Sequence, residues 1–537
     1  MRSTVVAAGA IALSGPGALA RAAVGTQITS RTSLVPSSPS STGYRKVVAG
    51  PAEARVVRAD LGVKAATGRG ECRTPLLAFA QFSDTHVVDH QSPARLEWTD
   101  RLEDPSAAPA LGIFASSYRP HEMLTGHVLD AMVQAVNDQG VGPVTGLALA
   151  FMIETGDNSD NSQFNEVRWN IDILDGVSGV AIDSGSPDRY EGVMDQDVLT
   201  YDPHYYHPDG APSGRVVDAY QTKYGFPAMP GLLDTAREPF DATGLNVPWY
   251  SCFGNHDGLM QGNFPWNSLQ LDLLATGGLK IISSPAGVSV ADLADAVTNQ
   301  SLGTLLNSLV LGPGVELVTP DHDRRSLNRG EFVEEHFTSI GSPVGHGFTE
   351  TNRNNDTAYY SFDSGNFRFI VMDTVNPNGF YEGSIDQAQF AWLKTTVLEA
   401  ADKAVLIFRH HTSASMTNPL VLTGLDPALR VLGGDVVEFF LTQPQVIAWV
   451  NGHTHRNEII SHQRAGGGGF WEINTAAHID WPQQARLIEV ADNGDKTWSI
   501  FTTVLDHAGP ADPGPSPSTP RALASLSREF SANEPQA

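Results

Sequence analysis

Largely apolar runs, each stopped by a short polar cluster, recur along the chain. Leu76–Phe82 stops at Ser83-Asp84-Thr85-His86, and Leu147–Ile153 stops at Glu154-Thr155-Gly156-Asp157-Asn158. Val247–Phe253 runs into Gly254-Asn255-His256-Asp257-Gly258, Ala404–Phe408 into Arg409-His410-His411, and Val446–Val450 into Asn451-Gly452-His453-Thr454-His455. Apolar runs of about four to eight residues with polar or glycine stops read as buried strands. Between the first two, His127–Val136 places Val128, Met132, Val133 and Val136 on one helical face, so the order is strand, helix, strand. A further helix is expected over Gln387–Ala400, carrying Phe390, Leu393 and Val397. Tyr359–Asp373 reads as a hairpin around Ser364-Gly365-Asn366. Ile459–Val504 alternates like an antiparallel sheet, broken at Gly466–Gly469.

Two segments, 161–246 and 259–357, lack this regularity and are rich in Gly, Pro, Asp and aromatic residues. Structureless loops of that length are rare inside a compact domain, so they are expected to be insertions with structure of their own, overhanging a site. Tyr201, Tyr205, Tyr206, Phe264 and Trp266 are expected to pack these insertions, with lining of a roof as the alternative. Residues 23–43, rich in Ser, Thr, Pro and Gly, read as a linker. The folded body is expected over 44–505, and 506–537 as a Pro-rich tail with a short helix over Arg521–Phe530. Residues 1–22 combine Arg2, an apolar run and small-residue cleavage sites, which resembles a secretory signal peptide and predicts export to the cell envelope or beyond.

Composition narrows the class. Of 537 residues, 41% are hydrophobic and 18% charged, which is ordinary globular material. Past the N-terminus no apolar stretch is long enough to predict a membrane span. A formal charge of -26 repels polyanions and disfavours nucleic acid as a partner. The two cysteines, Cys72 and Cys252, suit either redox compartment.

The polar stops carry the chemistry. In open α/β sheets, ligands bind beyond the carboxyl ends of strands, so clusters far apart in sequence can converge there. Carboxylate, imidazole and amide donors suit ions such as Mn, Fe, Zn or Co better than a cysteine-rich structural zinc site does. A carboxylate bridging two ions about 3.5–4 Å apart lets the pair stabilise attacking and leaving oxygens in phosphoryl transfer. Gly156, Gly254 and Gly452 are expected to let the backbone turn sharply beside the ions. Singly, Asp-x-His is most often a hydrogen-bonded loop pair and Gly-Asp a turn; the ordered set of five is what gives the pattern weight.

That set, Asp84-x-His86, Gly156-Asp157, Gly254-Asn255-His256-Asp257, His410 and Gly452-His453-x-His455, resembles the calcineurin-like metallophosphoesterase superfamily over residues 76–505, apart from the insertions. The resemblance implies an α/β fold of four layers (αββα), a double β-sandwich flanked by helices. It implies two divalent metal ions, from among Mn, Fe, Zn or Mg. Asp84, His86 and His455 fall at the first ion, Asp157 between the ions, and Asn255, His410 and His453 at the second. His410 is preferred to His411 because the family ligand directly follows its strand. The implied reaction is hydrolysis of phosphate mono- or diesters of a small phosphorylated substrate, by metal-bound hydroxide with His256 as proton donor. Asp160, three residues past the bridging carboxylate, is the candidate that orients His256, and Asp257 is the structural carboxylate. Asn158 and Arg409 are candidates to touch phosphate oxygens. Purple acid phosphatases carry Gly at the place of His86 and Tyr at that of Asp160, so no tyrosinate-iron colour is expected. The leader and insertions are similar to an exported actinobacterial branch. The competing reading is a noncatalytic metal- or phosphate-binding surface protein on the same fold.

Overall fold

The computed structural model describes residues 27–63, 67–102, 117–267, 269–283, 290–302, 314–422 and 425–535. The leader expected over 1–22 lies outside them. The strands of the two large sheets are, in chain order, β1 (Thr74–Phe82), β2 (Met152–Glu154), β3 (Trp249–Ser251), β4 (Tyr360–Ser364), β5 (Phe367–Val371) and β6 (Ala404–Phe408). They continue with β7 (Val446–Asn451), β8 (Glu458–Gln463), β9 (Gly469–Asn474), β10 (Gln484–Asp492) and β11 (Trp498–Asp506). The five-stranded sheet has the order β11-β10-β1-β2-β3, with β1, β2 and β3 parallel and β10 and β11 antiparallel. The six-stranded sheet has the order β8-β9-β7-β6-β5-β4, parallel except at its two edges.

The sheets pack face to face, which explains the unbroken apolar runs. In β6, Ala404, Leu406 and Phe408 point into the cluster shared with β1 and β2, while Val405 and Ile407 point to the opposite face. A strand covered on both sides has no polar face to show. Across the interface Phe79 meets Phe408 edge-on at 5.6 Å, and Tyr250 stacks on Phe362 at 4.1 Å. The outer face of the first sheet is covered by α1 (Thr125–Gln139) and α2 (Phe164–Asp175), through Leu129, Met132, Val133 and Val136 of α1 and Val167 and Ile171 of α2. On the second sheet, α3 (Gln387–Leu398) and α4 (Gly433–Leu441) supply Leu393, Val397, Val436 and Phe440. Burying one such side chain is worth about 1.5–3 kcal/mol. The result is the expected four-layer αββα arrangement.

Several boundaries differ from the sequence reading. Helix α2 falls in what was expected as the first insertion, yet it is part of the main core. Within the second expected insertion, the helix Arg329–Glu335 likewise sends Phe332 and Val333 into that core. The late alternating strands divide between sheets, β8 and β9 pairing in one and β10 and β11 in the other. Residues from 27 onward are no free linker: Ile28 is buried and bridges Leu505, and Leu34–Pro36 pairs with Val47–Ala49. Nor is the C-terminal segment a loose tail. Helix α5 (Pro520–Ser531), with Pro at its first turn and Thr519 as N-cap, buries Leu523, Leu526 and Phe530. Tyr44 Oη donates to Glu529 at 3.0 Å, joining the two terminal segments. Cys72 is exposed and Cys252 buried, both free thiols. Among the described residues no helix is long and apolar enough to cross a membrane.

Candidate metal centre

The parallel strands deliver their polar stops to one seam between the sheets. Past the end of β1 the ladder continues, with Asp84 N donating to Gly156 O (3.1 Å) and His86 N to Asp157 O (2.9 Å). On the other sheet Gly452 N donates to His410 O (3.0 Å). The sheets are joined at the site itself, where His453 N donates to the Asp84 carboxylate at 3.0 Å. Asp84, His86, Asp157, Asp160, Asn255, His256, His410, His453 and His455 are all brought to this seam.

Five of these residues occupy the left-handed backbone region: Asp84, His86, Asp157, His453 and His455, at φ 51, 42, 54, 71 and 55°. Non-glycine residues enter it at a cost of about 1–3 kcal/mol each, and such strain persists only where the surroundings over-determine it. The glycines have two different reasons to be there. Gly156 turns at φ 92°, as expected. Gly254, at φ −108°, makes no such turn, and Gly452 is not among the glycines with positive φ. They permit close approach instead, since a Cβ would collide with Asp157 at the first and with Ser83 and Asp84 at the second.

The donors form overlapping groups. One ligand atom each from Asp84, His86 and His455 lies within 4.8 Å of the others, and the same holds for Asp84, Asp157 and His410. Asp157 Oδ2 stands 3.6 Å from His86 Nε2 of the first group and 3.1 Å from His410 Nε2 of its own. His453 Nδ1 is 3.2 Å from His410 Nε2. His86 Nε2 and the Asn255 amide oxygen are buried without a hydrogen-bond partner, while Asn255 Nδ2 donates to Gly262 O at 3.2 Å. Buried acceptors are rarely left orphaned, and His86 Nε2 faces Asp157 Oδ2 within the cluster of imidazoles and carboxylates. A pair of divalent cations fits this donor set.

His411 also lies near His410 and His453, but its two ring nitrogens are engaged, Nδ1 with Thr374 Oγ1 at 2.7 Å and Nε2 with Tyr381 O at 2.8 Å. His410 engages the backbone through Nδ1 alone, at Thr155 O (3.0 Å), and turns Nε2 toward Asp157.

The electrostatics follow from burial and opposing charge. Burial disfavours the ionised form of Asp84, but the facing His455 and then His410 together outweigh it and bring the pKa down to about 2. His455 is lowered by burial and raised more strongly by Asp84 and Asp480, to about 10. For His256 burial again works downward, while Asp157 and then Asp160 raise it to about 9. His256 Nδ1 lies 2.7 Å from Asp160 O and 3.3 Å from Asp160 Oδ1, and Asp160 Oδ1 also meets His86 Nδ1 at 2.9 Å. Asp160 thus holds two imidazoles.

Asp257 is a structural tie: it accepts from the backbone N–H groups of Asn158 (3.0 Å), Ser159 (2.9 Å) and Gly254 (2.8 Å). The two candidate phosphate contacts fail. Asn158 spends its amide N–H groups on Cys252 O and Asp257. Arg409 is fully buried, with its guanidinium over the Trp449 ring inside the outer core. Tyr201, Tyr205, Tyr206 and Phe264 are buried, and Trp266 packs against the Phe264 cluster, so these aromatics build the insertions. Sequence reasoning missed Asp480, whose Oδ2 is 2.5 Å from His455 Nδ1, together with Arg119, Arg95 and Glu122 behind the ligands. None of these four stands in a motif or at a fixed spacing from a ligand.

No family model and no curated protein matches the chain. Among solved structures it is similar to a dimetal phosphatase from Danio rerio, at 12% identity over 80% of this chain and 99% of that chain, TM-score 0.32. It is also similar to PhoD, at 10% identity over 81% and 70%, TM-score 0.26. A third is the calcineurin-like phosphoesterase YfkN from Bacillus subtilis, at 9% identity over 81% and 91%, TM-score 0.25. Likeness this remote carries no chemistry across; the fold and donor set above are the chain's own.

Proposed function

We propose that the chain is a two-metal hydrolase of the calcineurin-like metallophosphoesterase superfamily, acting on phosphate mono- or diesters of small molecules. One observation carries this reading: Asp157 Oδ2 stands between His86 and His410, where one carboxylate oxygen serves two adjoining donor groups. Asp84, His86 and His455 would hold one ion and Asn255, His410 and His453 the other, with Asp157 available to both. Bound divalent ions supply Lewis acidity and neutralise charge on the phosphoryl oxygens.

The remaining work falls to the chain. His256, partly exposed beside the ligands, keeps a proton on Nδ1 for the carbonyl of Asp160, so a proton on Nε2 makes it an imidazolium. Asp160, with its carboxylate 3.3 Å from Nδ1, stabilises that cation, and Nε2–H is the proton given to the leaving oxygen. Export through residues 1–22 belongs to the same reading.

The test is reconstitution of the metal-stripped chain with Mn, Zn, Fe or Mg, assayed on an aryl phosphate and an aryl phosphodiester. Turnover of either ester is expected. Full occupancy with both ions and no turnover of either would favour the noncatalytic binding role.

A further inference from the structure

The imidazoles at the seam are backed in two different ways. Behind His86 Nδ1 stands Asp160, held by the buried Arg95, whose Nη2 reaches Glu122 Oε1 at 2.7 Å. Behind His455 Nδ1 stands Asp480, gripped by Arg119 through Nε (2.6 Å) and Nη2 (3.0 Å). Arg119 Nη1 is in turn 4.0 Å from that same Glu122 Oε1. Two relays of histidine, aspartate and arginine therefore start at separate ligands and converge beside Glu122 Oε1, which Arg95 meets as a close ion pair and Arg119 approaches to 4.0 Å, just before α1. Arg95, Asp160, Glu122 and Arg119 are all buried.

Among the described residues, no carboxylate backs the ligating rings of the other donor group in this way. His410 Nδ1 meets a main-chain carbonyl, Thr155 O. His453 Nδ1 faces His410, and the Asn255 amide donates to Gly262 O. A carboxylate behind a ligating histidine fixes its ring and raises its basicity more than a neutral carbonyl does, and losing such a partner typically costs about 10–100-fold in metal affinity.

Resting on the two-metal reading, we infer that Glu122 is a positioning residue that ties His86 and His455 together through paired arginine–aspartate relays, making the Asp84/His86/His455 position the tighter of the two metal positions. The consequence is ordered loading, that position filling first.

The experiment is titration of the metal-stripped full chain with Mn²⁺ alone, followed by calorimetry and by the loss of free-ion electron paramagnetic resonance signal. Wild type should show two binding steps; His455→Ala should abolish the tighter step and His410→Ala the weaker. Glu122→Gln should weaken the tighter step severalfold, less than loss of a partner that meets the ligand directly, and leave the weaker one within about twofold. Asp480→Asn, which breaks one relay at its middle, should weaken the same step by about 10–100-fold, and it decides the matter if Glu122→Gln does not fold. Equal weakening of both steps, weakening of the weaker step alone, or no change in either variant overturns the inference. Uptake of fewer than two ions by wild type sinks the two-metal reading instead, so the two failures are distinct.

Discussion

His256 Nδ1 lies 2.7 Å from the main-chain oxygen of Asp160, an acceptor that no side-chain substitution removes. The ring orientation of His256 therefore survives changes at position 160, while its charge balance does not. Replacing the ring itself tests its role. His256→Ala is expected to lower kcat by about 10²–10⁴-fold, with metal content unchanged. The loss should be larger for an alkyl phosphate than for a nitrophenyl ester, whose leaving group needs no proton. Steady-state kinetics beside metal analysis check this, and equal losses on both esters would remove His256 as the donor.

Asp160→Asn should act on two imidazoles at once. Without the carboxylate charge the His256 imidazolium is less stable, so its pKa falls and the alkaline limb of the kcat profile moves to lower pH. His86 loses its anionic partner, so metal occupancy falls too. A pH–rate profile with metal analysis separates this double effect from the single effect at His256.

Glu154 lies buried beneath the site, accepting from Thr85 Oγ1 (2.9 Å) and Asn170 Nδ2 (3.0 Å). Burial pushes its pKa from an ordinary 4.5 up to about 8. A folded-state value above the unfolded one means that folding takes up a proton. The associated stability is complete below about 4.5 and drains away as pH rises to about 8, at no more than ~1.4 kcal/mol per pH unit. Glu154→Gln keeps an acceptor for both donors and should flatten this slope. Urea denaturation at a series of pH values reads it, and an unchanged slope would show that the carboxyl is ionised in the fold.

At Gly254 an added methyl group collides with the backbone and carboxylate of Asp157, whose Oδ1 is already held by His256 N. Gly254→Ala is expected to cost about 1–3 kcal/mol by overpacking and to displace the shared ligand, lowering metal occupancy. Denaturation and metal analysis together report it.

Helix α5 offers a test remote from the site. Phe530 is fully buried against Tyr206 and Phe226, so Phe530→Ala should destabilise the chain by about 3–5 kcal/mol in urea melts. A change under about 1 kcal/mol would mean that this helix is dispensable packing.

The five polar stops were readable because each follows an apolar run that had to be a doubly covered strand, and little else explains histidines and carboxylates at such ends. The outer partners were not readable. Asp480 reaches His455 only because the loop before β10 folds back, and Glu122 joins Arg95 to Arg119 only through tertiary packing. Alternation over Ile459–Val504 revealed strands but not their sheets, since period two is the same on either side of a sandwich. Helix α2 did carry a signal, Val167, Ile171 and Leu174 at helical spacing, which the Gly- and Pro-rich composition of the wider segment obscured. The segment near Ile28 is held by one buried apolar side chain together with the buried polar Thr29 and Ser33 and main-chain hydrogen bonds to Val504 and Asp506, which composition does not register.

Asp84, Asp157 and Asn255 follow strands of one sheet, and His410, His453 and His455 strands of the other, so cations seated there would rivet the two halves of the body at their common rim. Sliding one half past the other then means breaking coordination bonds as well as moving greasy surfaces. Chelation would loosen a joint and not merely empty a pocket, and resistance to heat or force should rise and fall with occupancy.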